Sequence, residues 1–148
     1  RGYIETLNSL YRKQWFENEN TNKNLLWPFT KYKNIQIPFW VKEEDHDVWC
    51  KITALDRCAY YYLEMIQNIN KINNRIDVSY NDLVANPENI AEDLASHLSL
   101  SFGPKTLGVI SSIKNTKSER SLNILDGVDS SLRDKILLLS EQCDYCFA

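Results

Sequence analysis

Arg1 and Ser9 stand eight residues apart at the head of the chain, a guanidinium and a hydroxyl. A phosphate needs fixed cationic donors and hydroxyl or amide donors in a water-poor site. Arg1 precedes a helical pattern and can curl over its first turns, while Ser9 lies two turns along. Both can therefore reach one phosphate. A frayed terminal Arg and a Ser bonded to its own backbone explain the same residues without a ligand. Cys143-Asp-Tyr-Cys146 has the C-x-x-C spacing of zinc and redox sites. No second such pair and no nearby His supports it, and small apolar residues on a terminal helix are the competing reading. Cys50 and Cys58 are too far apart along one expected helix to pair, so the thiols are expected to be reduced. His46, at a helix start, is expected in a capping or exposed role, and His97 packed or half-exposed on a helix. Lys114, Lys117 and Arg120 lie close together and read as a solvated charged loop.

The elements that position these residues belong to a chain of 148 residues, 43% hydrophobic and 11% aromatic, most simply one domain with enough apolar content for a core. A net charge of −3 argues against a general nucleic-acid binder. No apolar run is long enough to span a bilayer, no signal peptide is expected in residues 1–148, and the natural start is expected to lie before Arg1. The expected compartment is cytoplasmic.

Gly2–Phe16 carries Ile4, Leu7, Leu10 and Tyr11 at helical spacing. Glu17–Asn24 reads as a loop. Leu25–Trp40 holds two X-Pro steps, Trp27-Pro28 and Ile37-Pro38, which disfavour helix. Residues 18–40 are thus an expected irregular, aromatic-rich insertion, either packed on the body or a mobile flap. His46–Ile69 is the clearest helix, capped by Asp45 or Asp47. Its apolar stripe runs from Trp49 through Ile52, Leu55, Ala59, Tyr62 and Leu63, with Asp56 and Arg57 off the stripe. In Tyr60-Tyr61-Tyr62 at least one ring should be partly exposed. Arg75–Ser79 alternates Ile76 and Val78 with polar residues and predicts a short strand. Asn86-Pro87 predicts a helix start, with Ile90, Leu94, His97 and Leu98 on one face. Pro104–Lys114 predicts another helix. Asp129 or Ser130 caps a last one through Leu132, Ile136, Leu139 and Cys143.

The stretch Arg75–Leu100, RIDVSYNDLVANPENIAEDLASHLSL, resembles the "YEDL…P…L…FLGL" segment of the PAPS-dependent sulfotransferase family. Trp49–Tyr62 resembles the long helix that precedes that segment in the family, and Arg1–Arg12 its Arg and Ser eight apart. The resemblance implies that Tyr80 contacts the adenine of PAPS or 3′,5′-ADP, and that Arg1 and Ser9 bind the 3′-phosphate. Asn81 replaces the family's Glu. If Arg1 instead matches the second Arg of the family's "R-D-P-R", the phosphate-binding Arg lies before it and Thr6 takes the hydroxyl position.

The family's phosphosulfate loop is missing: nothing reads G-x-x-x-x-G-K-[ST] or "PKSGTTW", and the four glycines are scattered singly. The family's general base also precedes the Arg–Ser segment. The resemblance therefore implies that residues 1–148 are the C-terminal portion of an α/β domain of the P-loop-like sulfotransferase type. That portion would be mostly helical with one short strand, lacking the N-terminal half of the sheet. The whole would move a sulfuryl group from PAPS to a hydroxyl or amine of a glycan, lipid or small molecule. This portion is expected to be inactive alone, with no catalytic residue of its own, and prone to self-association through its uncovered sheet edge. The alternatives are a non-catalytic helical interaction domain and a small redox or metal protein built on Cys143 and Cys146.

Overall fold

The computed structural model describes residues 2–17, 28–112 and 123–142. Its described residues are mostly helical and include one small antiparallel sheet. Arg1, Trp27, Lys117, Arg120, Cys143 and Cys146 lie outside them, as does the expected loop beyond Glu17.

Helix α1, Tyr3–Arg12, turns Leu7 and Leu10 into the core. Helix α3, Ala54–Asn70, is the centre of the body and packs against α1 and against α7, Ser130–Gln142. Cys58, Ala59, Tyr62 and Leu63 of α3 share one apolar cluster with Phe16, Ile37, Val41, Trp49, Leu125, Val128 and Ile136. Ile136 is wholly buried on α7, with Leu132 and Leu139 partly buried beside it. Asp129 begins that helix as expected, its carboxylate accepting the Ser131 N–H at 2.9 Å.

The expected irregular excursion is in part a β-hairpin. Strands β1, Phe29–Tyr32, and β2, Ile35–Pro38, pair in antiparallel register, Tyr32 opposite Ile35 and Phe29 opposite Pro38. The two linking residues, Lys33 and Asn34, both have positive φ, 47° and 64°. That is the backbone hand that matches strand twist in a tight hairpin. Pro38 sits at the open end of a two-stranded sheet, where its missing N–H disrupts little.

The single helix expected over His46–Ile69 is two. A 3₁₀ turn, Glu43–Asp45, leads into α2, His46–Lys51; the chain then straightens at Ile52 and Thr53 before α3. Thr53 and Asp56 form a reciprocal cap: the Thr53 hydroxyl accepts the Asp56 N–H at 3.1 Å, and the Asp56 carboxylate accepts from the Thr53 N–H at 3.3 Å and its hydroxyl at 2.7 Å. The same carboxylate accepts the Asp129 N–H at 2.7 Å and so joins the start of α3 to the start of α7. Asp45 and Asp47 make no capping bond for α2. Asp45 accepts the Tyr60 hydroxyl at 2.6 Å, and Asp47 accepts from Tyr32 and Lys33.

The strand expected at Arg75–Ser79 does not form. The segment is irregular and, up to Val78, exposed, and no ladder partner lies beside it among the described residues. Alternation of Ile76 and Val78 is not enough when no second strand supplies hydrogen bonds. Arg75 instead folds back, donating to the Ile69 carbonyl at 2.6 Å and to Asp77 at 2.9 Å. Beyond it come α4, Tyr80–Ala85, α5, Pro87–His97, and α6, Pro104–Ser111, which pack mainly on one another. The buried side of α5 is Ala91 and Ala95; His97 and Leu98, expected on the inner face, are exposed. Asn86 holds the cap position of α5 without a side-chain bond, and Pro87 takes its first turn.

Candidate functional site

The residues expected to hold a nucleotide lie on separate elements. Ser9 is half-buried on α1, which packs against α3 and the 3₁₀ turn Ile124–Gly127. Thr6, the alternative hydroxyl, donates to the Gly2 carbonyl at 2.9 Å and is committed to its own helix. The Ser9 hydroxyl has no hydrogen bond among the described residues, which leaves it the better-placed donor of the two. Arg1 is outside those residues, so the expected Arg–Ser pairing has no geometry to report.

Tyr80 opens α4, half-buried, after Ser79 has capped that helix by accepting the Asp82 N–H at 3.3 Å. Ser79 is thus the capping residue of α4. Because α4 packs against α5 while α1 packs against α3, Tyr80 and Ser9 are positioned by different neighbours.

Both histidines are engaged. His46 is 8% exposed, within hydrogen-bond reach of the Val41 carbonyl through Nε2 at 3.3 Å and edge-on to Tyr32. It is buried, where a capping or exposed place was expected. His97 is exposed, with Nδ1 at 2.9 Å from the Asp93 carbonyl. Cys50 is half-buried and Cys58 buried, both as free thiols, and burial pushes the Cys58 thiol up to about 12. That makes Cys58 a small apolar core residue rather than a nucleophile.

Chemically distinctive geometry appears instead around Arg57, which the apolar stripe left outside the core. Arg57 is 1% exposed. Its Nε donates to the Trp49 carbonyl at 2.9 Å and Nη1 to the Phe16 carbonyl at 3.1 Å, while the guanidinium carbon lies 5.5 Å from the Trp49 ring centre. Five rings crowd the region: Phe16, Trp40, Trp49, Tyr60 and Tyr61, with Trp40 and Trp49 edge to face at 5.3 Å. Burial lowers the Arg57 pKa. Phe16 lies in the turn that follows α1 and Trp49 in the last turn of α2, so one cation satisfies a turn carbonyl and a helix-end carbonyl. A signal for this was present: Arg57 falls one residue before Cys58 on a helix with an unusually wide apolar stripe.

No family model matches the chain, and no curated protein or solved structure matches it either. No helix among the described residues is long and apolar enough to cross a membrane.

Proposed function

We propose that this chain is part of a PAPS-dependent sulfotransferase and contributes contacts to the 3′-phosphate and adenine of the donor. The observation that carries the reading is the segment Ser79–Pro87, in which a short helix opening with Tyr-Asn-Asp-Leu is followed by a proline-started helix. Supporting it, Tyr80 stands at the very start of α4 and Ser9 offers a hydroxyl not used within its own helix. In the intact enzyme a base would deprotonate the acceptor, and cations would stabilise charge on the transferring group and the leaving phosphate. This chain holds neither the phosphosulfate loop nor that base, so it binds and does not turn over. Incubation with labelled PAPS and simple hydroxyl acceptors is expected to give no sulfated product, and turnover by the isolated chain contradicts this part of the proposal.

Titration with 3′,5′-ADP tests the binding part. Binding is expected, weakened several-fold by Ser9→Ala and by Tyr80→Ala. Binding that neither substitution changes contradicts the proposal.

A second reading, a non-catalytic helical interaction domain, is favoured by one observation. Leu98, Leu100 and Val109 are each more than half exposed on the α4–α6 part of the chain, as is Ile72 just past α3. It predicts no response to 3′,5′-ADP.

A further inference from the structure

We propose that the Arg57–Trp40 region is a buried binding point for an oxyanion, separate from the residues expected to hold the donor nucleotide. Two donors carry the inference. Nη2 of Arg57 and Nε1 of Trp40 are both buried with no hydrogen-bond partner. Buried polar atoms in native proteins nearly always have one, and an orphan calls for a missing water, ion or ligand.

The chemistry of what is missing follows from the chemistry of what is present. Both orphans are donors, so the absent group must accept. Arg57 keeps its charge at any ordinary pH, and its two existing bonds go to neutral carbonyls. No ion pair to a carboxylate compensates it among the described residues. The nearest chain neighbour with a carboxylate, Asp56, is committed to Thr53 and to the Asp129 N–H. A water would satisfy a donor but leave the charge, whereas an oxyanion answers both.

Both donors belong to side chains that abut one indole. The Trp40 ring centre is 5.3 Å from that of Trp49, and the Arg57 carbon is 5.5 Å from the same ring. Aromatic walls exclude water and strengthen a charged hydrogen bond. With Nε and Nη1 committed to carbonyls, Nη2 is the part of the guanidinium left to give an oxyanion a charge-assisted hydrogen bond. The expected ligand is a sulfate, a phosphate, or the carboxylate of a larger molecule. The site stands on α3 and the turn after β2, while the proposed nucleotide contacts stand on α1 and α4. Either can fail without the other.

Thermal melting of the full chain in increasing sodium sulfate or sodium acetate, at ionic strength held constant with sodium chloride, tests it. A saturable rise in Tm with at least one of the two oxyanions is expected, half-complete in the millimolar range or below. Sulfate preferred marks a tetrahedral oxyanion; acetate preferred marks a carboxylate. Trp40→Phe keeps an aromatic ring while removing the indole donor, and should weaken the effect at least three-fold. Arg57→Lys keeps the charge but not the planar set of donors that reaches both carbonyls and leaves Nη2 free, and should abolish it. Should Arg57→Lys fail to fold, Trp40→Phe decides alone. No saturable rise with either oxyanion, or the same rise in Trp40→Phe as in the parent chain, overturns the proposal.

Discussion

Cys58 shows how one residue's burial becomes a property of the whole chain. Its thiol is 1% exposed and pushed up from 9.0 to about 12. The folded form therefore keeps this proton at pH values where the unfolded chain releases it. The contribution to stability is complete below about pH 9 and is lost as pH rises towards the folded value. Tyr60 acts in the same direction: burial raises its pKa, and the hydrogen bond to Asp45 adds to the shift. Urea unfolding at a series of pH values from 8 to 11 should show stability falling above pH 9, and Cys58→Ala should flatten the first part of that fall. A curve flat to pH 11 contradicts the buried thiol. Asp56 and Arg57 teach the complementary lesson. Their polarity placed them outside the expected core, yet they are 7% and 1% exposed. A helical stripe records where apolar side chains point. It does not record that a buried carboxylate can use its oxygens on Thr53 and Asp129, or that a guanidinium can satisfy the carbonyls of Phe16 and Trp49.

At the scale of elements, the break between α2 and α3 was written in the chain as Thr53-x-x-Asp56, a capping signature. It was masked because apolar spacing continues across it through Trp49, Ile52, Leu55 and Ala59. Thr53→Ala should cost about 1 kcal/mol in denaturant unfolding. A change near zero would mean that the Asp56 contacts hold α3 without the threonine. The end of α5 gives a prediction of opposite sign. Ser99 sits at φ 53° just past the helix, where the Leu100 N–H reaches the Ala95 carbonyl at 2.8 Å. A left-handed backbone strains any side chain that has a Cβ, so Ser99→Gly should stabilise by about 0.5–1 kcal/mol. Loss of stability would place Ser99 in a different conformation. The hairpin was the least legible element. Its turn is Lys-Asn rather than a glycine pair, and its two prolines argued against regular structure. The pairing of β1 with β2 outweighs both signals. Arg75–Ser79 failed in the opposite way, because strand pattern without a partner strand yields no strand.

At the scale of the whole molecule, the described residues group into two unequal parts. The body around α3 gathers α1, the hairpin, α2 and α7 on one apolar cluster, which among the described residues includes none from α4–α6. The helical character, α1, the start of α7 and the proline-started helices were legible because periodicity and caps are local signals. The joint position of Ser9 and Tyr80 was not, because it depends on how α1 and α4 are held by different neighbours. The functional reading rests on those two residues serving one nucleotide, and the 3′-phosphate is what distinguishes that nucleotide from common ones. Calorimetric titration of the chain with 3′,5′-ADP and, separately, with 5′-AMP isolates that group. The account predicts that 3′,5′-ADP binds at least about ten-fold more tightly, a difference of about 1.4 kcal/mol, and that Ser9→Ala removes most of the difference. Equal affinity for the two nucleotides, or binding of neither, would contradict it.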